Sequence, residues 1–309
     1  MMQKGLILRS TGSWYEVANE DGHIYQGRLR GKIKLGELKV TNPIAVGDYV
    51  AFEVEDITEN TAIISKIYPR ENCIIRKSTH KTAYGHIIAA NLDQAFLIAT
   101  LAFPRTSLGF IDRFLVSAES FRIPVFLVFN KTDILSEEGL ELQDQYCKLY
   151  EKIGYKCLQI SALEDQNLDL LNEKLAHKKT LIAGHSGVGK STLLNRLAPN
   201  LHLKTANISN YSQKGVHTTT FAEMFEIKPQ TYLIDTPGIK ELGLMDMENA
   251  EIGHYFPEMR ALLGQCRYHN CTHIHEPDCA IQKAIKNGEI AVSRYESYWS
   301  MLMGEDNRR

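Results

Sequence analysis

Two rhythms of apolar and polar residues divide the chain. From Gly5 to about Pro69 they alternate over short runs separated by Gly, Asn and Asp, as in Trp14-Tyr15-Glu16-Val17, Ile24-Tyr25-Gln26-Gly27, Asp48–Val54 and Ala62-Ile63-Ile64. Period-two alternation marks strands with one buried face. Asn19-Glu20-Asp21-Gly22 and Val46-Gly47-Asp48 have the composition of hairpin connections.

Packed into about seventy residues, these short strands predict a small closed barrel over residues 1–70, with an oligonucleotide-binding (OB) type as the candidate. After Pro69, strand-like apolar runs alternate with amphipathic stretches of helical length. The predicted strands are Ala95–Thr100, Val125–Asn130, Lys156–Ile160, Thr180–Gly184, Ala222–Lys228 and Thr231–Asp235. The predicted helices are Phe110–Phe121, Glu137–Lys152, Gln166–His177 and Lys190–Leu197. Such alternation belongs to an α/β fold with a parallel sheet, here over residues 71–245. Beyond about Asp246 the strand signal ends. A helix, a Cys/His cluster and a helical stretch over Ile281–Met303 make a third, mainly helical unit over 246–309.

Composition narrows the class. A 309-residue chain with 44% hydrophobic and 23% charged residues is an ordinary globular protein of two or three domains. A net charge of -2 excludes bulk electrostatic coating of nucleic acid, so any such binding needs a local patch. The strongest apolar run, Ile123–Phe129, is strand-sized, and Leu6-Ile7-Leu8 is too short for a secretory core. A cytoplasmic, monomeric protein without membrane contact is expected.

The chemistry sits in the strand-to-helix turns. Gly184-His185-Ser186-Gly187-Val188-Gly189-Lys190-Ser191-Thr192 follows a predicted strand and opens a helix, matching G-x-x-x-x-G-K-[ST]. Its glycines let backbone N–H groups surround phosphate oxygens, Lys190 supplies a charge to the β/γ-phosphates, and the Ser191 hydroxyl ligates Mg²⁺. Asp235-Thr236-Pro237-Gly238 ends another strand, 45 residues after Lys190. There Asp235 would hold Mg²⁺ through water and the Gly238 N–H would meet the γ-phosphate.

Asn130-Lys131-Thr132-Asp133 closes the strand over Val125–Phe129. The Asp133 carboxylate can accept from both N1–H and the exocyclic amine of guanine, and it rejects adenine, which lacks that amine. The Lys131 stem would cover the base, and Ser161-Ala162-Leu163 would bring the Ala162 N–H to guanine O6. The guanine motif thus precedes the phosphate loop, inverting the usual order. The same sheet forms if the original termini are joined, by the helix over Gln166–His177, and the chain is cut elsewhere. Within Lys214–Thr220, Thr219 (or Thr218) is the expected switch threonine. Ile239 stands where many GTPases carry a water-orienting Gln, which leaves His217 as the nearest candidate to assist hydrolysis.

Cys266-x₄-Cys271-x-His273-x₅-Cys279 offers three thiolates and an imidazole, a closed set suited to structural Zn²⁺, with His269 and His275 as alternatives. On Arg28-Leu29-Arg30-Gly31-Lys32-Ile33-Lys34-Leu35, period two puts four cations on one strand face, joined by Lys39. It suits an RNA backbone, and equally a charged edge that discourages strand pairing.

The motif order N-K-T-D, S-A-L, G-H-S-G-V-G-K-S, H-T-T-T, D-T-P-G and C-x₄-C-x-H-x₅-C resembles the ribosome small-subunit-dependent GTPase A family of bacteria over essentially the whole chain. The resemblance implies a GTPase acting late in small-subunit maturation. It implies binding to ribosomal RNA, stimulation by the subunit, and a catalytic part for Lys190 and His217.

Overall fold

The computed structural model describes residues 2–31, 40–77, 85–199, 222–235 and 247–304. The first five strands are β1 (Met2–Ser10), β2 (Tyr15–Asn19), β3 (Ile24–Leu29), β4 (Tyr49–Asp56) and β5 (Thr61–Ile67). They run in the order β1-β2-β3-β5-β4, and β4 pairs back onto β1, closing the barrel. The inward positions of the period-two pattern, including Ile7, Val17, Val50, Phe52 and Ile64, form its core. The Asn19–Gly22 turn does connect paired strands, β2 to β3. The Val46–Asp48 turn does not: β4 pairs with β1 and β5, while Val46 bridges Ala89 and the Gly47 N–H donates to Ile7. A turn-forming composition cannot say which strands flank it.

The cationic strand keeps its period but not its freedom. Arg28 pairs with Glu55 at 2.6 Å and Arg30 with Glu53 at 3.8 Å, both carboxylates standing on β4. Lys32, Ile33, Lys34, Leu35 and Lys39 lie outside the described residues.

Next comes a two-stranded antiparallel ribbon, β6 (Cys73–Lys77) and β7 (Gly85–Ala90), which the pattern did not predict. The α/β unit then follows: β8 (Gln94–Ala99), α1 (Leu108–Ser120), β9 (Val125–Phe129), α2 (Glu137–Lys152), β10 (Lys156–Gln159), α3 (Leu168–Leu175), β11 (Lys179–Ala183), α4 (Lys190–Leu197), β12 (Glu223–Lys228) and β13 (Thr231–Asp235). Strands β10-β9-β8-β11-β13 are parallel, and β12 is antiparallel to β13. All residues of β8 and β9 are buried, as expected of parallel strands covered on both faces, hence their unbroken apolar runs. Ser107 and Ser136 cap α1 and α2 by accepting from the Phe110 and Gly139 N–H groups. The joining helix α3 is shorter than its pattern, yet it buries Leu168, Leu171 and Leu175 while carrying the chain from edge strand β10 to central β11. Strand β12 continues into the barrel through Arg9 opposite Glu223, so barrel and α/β unit share one sheet.

The C-terminal unit has a 3-10 segment at Asn249–Tyr255 followed by α5 (Pro257–Arg260), α6 (Ala280–Lys286) and α7 (Val292–Leu302). The predicted helical stretch is therefore two helices, parted at Gly288. Its core of Ile252, Phe256, Met259, Ile281, Tyr298 and Met301 is completed by Val116 of α1.

Candidate nucleotide site and metal cluster

Parallel strands deliver their following loops to one edge of a sheet, where crevices form. Asn130 follows β9, Ser161 follows β10, Gly184 follows β11, and Asp235 ends β13. The inverted motifs therefore meet. Asn130, 2% exposed, donates from Nδ2 to the Val188 carbonyl at 2.8 Å and accepts at Oδ1 from the Ala162 N–H at 3.0 Å. One side chain thus ties the phosphate loop to the Ser161–Leu163 loop. The approach is so close that a Cβ on Gly189 would lie 2.3 Å from Asn130 Nδ2. Gly184 has the same constraint, its Cβ position 2.4 Å from the Ile98 carbonyl oxygen, at φ +145°. The Ala162 N–H, expected at guanine O6, is engaged with Asn130 here.

Neighbouring bonds hold the rest of the guanine motif. The Ser161 hydroxyl donates to Asp133 Oδ1 at 2.6 Å and accepts from the Glu164 N–H at 3.1 Å. The Thr132 hydroxyl reaches Gln166 Oε1 at 2.9 Å. Lys131, with φ 69°, sends its Nζ to the Phe103 carbonyl at 2.9 Å. Burial holds this ammonium below its ordinary value, against the attraction of Asp133. Asp133 itself is half-buried.

In the phosphate loop, Lys190 donates to the carbonyls of Gly184 at 2.8 Å and His185 at 2.6 Å. Burial pushes its ammonium down to about 8, opposed by Asp235. Ser191 and Thr192, both half-buried, stand in the first turn of α4, whose N-terminus adds partial positive charge. Beside them the His185 ring lies on Phe110 of α1, centroids 3.7 Å apart. Ser186 is half-buried and Gly187 exposed. His217, Thr218, Thr219, Gly238 and Ile239 lie outside the described residues.

Cys266, Cys271, His273 and Cys279 converge, with their four candidate ligand atoms all within 4.8 Å of one another. Cys266 Sγ is 3.6 Å from His273 Nδ1 and 3.9 Å from Cys279 Sγ, and His273 Nδ1 is 3.4 Å from Cys279 Sγ. A tetrahedral Zn²⁺ bound by sulfur at about 2.3 Å and nitrogen at about 2.0 Å has ligand–ligand edges of about 3.5–3.8 Å, so the donor set fits. Burial lowers the His273 value, favouring the neutral imidazole a metal needs. The alternatives His269 and His275 are exposed and outside the cluster. The loop is braced by Glu276, which accepts from Thr272 N at 2.7 Å, Thr272 Oγ1 at 2.6 Å and Ile274 N at 3.1 Å. Against burial, which acts to raise it, the two Thr272 bonds, together with those from the Glu276 and His275 backbone N–H groups, hold its carboxyl at about 2.

One set of residues escaped the sequence entirely. Arg294 of α7, 1% exposed, meets Asp112 of α1 at 2.6 Å and Glu258 of α5 at 2.7 Å. Tyr150 of α2 also donates to Asp112, at 2.7 Å. The charged pair Asp112-Arg113 inside the otherwise mainly apolar stretch Gly109–Ala118 was the only signal.

The RsgA GTPase family model matches residues 67–245, and that of the RsgA N-terminal domain matches residues 4–64. A small ribosomal subunit biogenesis GTPase RsgA of Cytophaga hutchinsonii is 53% identical over 99% of this chain and 100% of its own length. The protein of that name from Bacteroides fragilis is 50% identical over 97% and 96%. The crystal structure of YjeQ from Thermotoga maritima superposes with a TM-score of 0.76 at 33% identity, covering 100% of both chains. That of YloQ, a circularly permuted GTPase, gives 0.74 at 28% identity, covering 100% of this chain and 96% of its own. With the guanine and phosphate motifs joined in inverted order, the chain belongs to the RsgA GTPase family and is a GTP-hydrolysing enzyme.

Proposed function

We propose that this GTPase is a late maturation factor of the small ribosomal subunit, binding its ribosomal RNA in the cytoplasm as a monomer and hydrolysing GTP when docked. The barrel (1–70), permuted GTPase domain (71–245) and zinc-binding domain (246–309) would each contribute to docking. The observation that carries the nucleotide half is the Asn130 bridge, which makes the guanine motif and the phosphate loop parts of one site. The ribosomal half is supported by relatives, half identical from end to end, that are named small ribosomal subunit biogenesis GTPases.

In this site Asp133 selects guanine, with Ser161 holding its carboxylate and the Lys131 stem against the base. The Ala162 N–H would be shared between Asn130 Oδ1, which keeps the two loops together, and guanine O6. Backbone N–H groups of Gly184–Gly189 and the Lys190 ammonium bind the β- and γ-phosphates and stabilise the negative charge that shifts toward the leaving oxygen. Ser191 and Asp235 are the residues that would hold Mg²⁺, which supplies charge neutralisation on those phosphates. Thr219 and the Gly238 N–H sense the γ-phosphate, and His217 orients water in the place Ile239 cannot fill. Cys266, Cys271, His273 and Cys279 would hold Zn²⁺, which cross-links their loop.

The test is GTP turnover titrated with purified small ribosomal subunits, with large subunits and transfer RNA as controls. Turnover should rise on the order of tenfold or more and saturate with small subunits alone. A flat titration, or stimulation by transfer RNA instead, overturns the ribosomal assignment while leaving the nucleotide site untouched.

A further inference from the structure

The strand first suspected of meeting RNA has its described cations neutralised, Arg28 by Glu55 and Arg30 by Glu53. Unpaired positive charge gathers elsewhere on the barrel. Lys4 of β1 and Lys66 of β5 lie in one row across β4, both in register with Ala51 between them. Both are exposed. In the next row stand Tyr49 and Tyr68, joined by the Tyr68 N–H donating to the Tyr49 carbonyl at 2.9 Å. The Lys4 ammonium sits 4.6 Å from the Tyr49 ring centroid and 5.8 Å from that of Tyr68, and the Lys66 ammonium 5.2 Å from Tyr68. Lys179 of β11 reaches across from the GTPase domain, its Nζ 4.9 Å from the Tyr49 ring centroid and donating to the Tyr49 hydroxyl at 3.3 Å.

Three lysines thus converge on two tyrosines at the seam between barrel and GTPase domain. Among the described residues none of the three forms an ion pair with a carboxylate. Carboxylates near the cluster have other partners: Asp93 accepts from the Lys179 backbone N–H at 2.6 Å, Glu226 from the Gln230 N–H at 2.9 Å, and Glu53, two residues along β4 from Ala51, pairs with Arg30 at 3.8 Å. Ring faces hold the ammoniums in place, so little side-chain freedom remains to be lost when an anion arrives. Because those faces are already covered by lysine, the cluster suits phosphate oxygens rather than stacked bases.

We infer that Lys4, Lys66 and Lys179, held by Tyr49 and Tyr68, form a binding surface for the RNA sugar–phosphate backbone that spans the barrel and the GTPase domain. The choice of RNA as polyanion rests on the ribosomal function proposed above; the surface itself rests on the geometry.

The experiment compares the full-length protein with a Lys4→Gln/Lys66→Gln variant and an Arg28→Gln/Arg30→Gln control. Affinities for purified small subunits and for deproteinised small-subunit RNA are measured between 50 and 200 mM salt, about the range over which counterion release is resolved. Loss of two phosphate contacts should make the log–log salt slope shallower by about 1.4–1.8 and weaken binding about five- to tenfold for both ligands. The arginine control should keep its slope, and GDP affinity should not change in either variant. Unchanged affinity and slope in the lysine variant overturn the proposal. Weaker binding to subunits with unchanged binding to free RNA also overturns it, assigning the patch to an acidic ribosomal protein. If the unsubstituted protein binds neither ligand, the ribosomal function itself falls; if it binds both and the lysine variant matches it, only the surface does.

Discussion

Asn130 shows how much one short amide can decide. It bonds the Val188 carbonyl with its donor and the Ala162 N–H with its acceptor, both in a buried place. No hydrophobic residue of its size does both, and Asp lacks the donor. Asn130→Ala should destabilise the protein by about 2–4 kcal/mol, since two buried backbone groups lose partners. Guanine and phosphate loops would also separate, weakening GDP binding at least about tenfold. Chemical unfolding and GDP titration check both, and an unchanged GDP affinity removes Asn130 from the centre of the site. Lys190 gives a pH test. Its free-state value of about 8 means that the unliganded side chain is neutral above that pH, whereas the phosphate complex needs the charged form. Binding therefore takes up a proton as pH rises, and GDP affinity should fall about tenfold between pH 7 and 9. Calorimetry in buffers of different ionisation enthalpy reads that uptake directly; equal heats in all buffers at pH 9 contradict it.

Among the described residues helix α1 carries most of the contact between the C-terminal unit and the GTPase core, with Lys152 of α2 adding a bond to the Gly288 carbonyl at 3.3 Å. Its first turn places Phe110 against His185 of the phosphate loop, its middle gives Asp112 to Arg294, and Val116 enters the C-terminal core. Near its end Glu119 pairs with Arg260 at 3.0 Å. Because Asp112 is fully buried and Arg294 is its cationic partner, Arg294→Met should cost about 3–5 kcal/mol by stranding two carboxylates. Denaturant unfolding tests this, and a loss below about 1 kcal/mol would show the triad to be solvated. Much of this element was legible: the apolar stripe fixed its length to within two residues, and its serine cap stands in the sequence. Its partner was not, because Arg294 lies 182 residues from Asp112 and no local pattern links them. The same limit explains Arg28 and Arg30, whose spacing was readable while their carboxylates on β4 were not. Strand-end motifs were easier to place, since Gly184 and Asn130 each close a buried apolar run of a parallel strand and Ser161 follows the parallel edge strand β10.

At the scale of the molecule, permutation gives the C-terminal unit two ties to the GTPase domain. It follows the D-x-x-G motif directly in sequence, and it packs on α1. The unit's own apolar core is small and needs Val116 from outside itself, so a metal cross-link at Cys266, Cys271, His273 and Cys279 would carry a large share of its order. Every hydrogen bond named at the nucleotide site lies between residues 103 and 190, outside this unit. Losing the metal should therefore separate the two halves of the function. Cys279→Ser, or exhaustive chelation, should abolish a 1:1 zinc content measured by mass spectrometry and change the emission of Trp299, which lies on α7 beside Tyr298. GDP affinity should stay within about threefold, because the base and phosphate contacts persist. Stimulation by small subunits should be lost, because the docking proposed for this unit requires it to be held on α1. Retained zinc in the Cys279→Ser protein would show that the four-ligand set is wrong. A collapse of GDP binding in step with metal loss would show instead that α1 transmits the state of the C-terminal unit into the phosphate loop through Phe110 and His185.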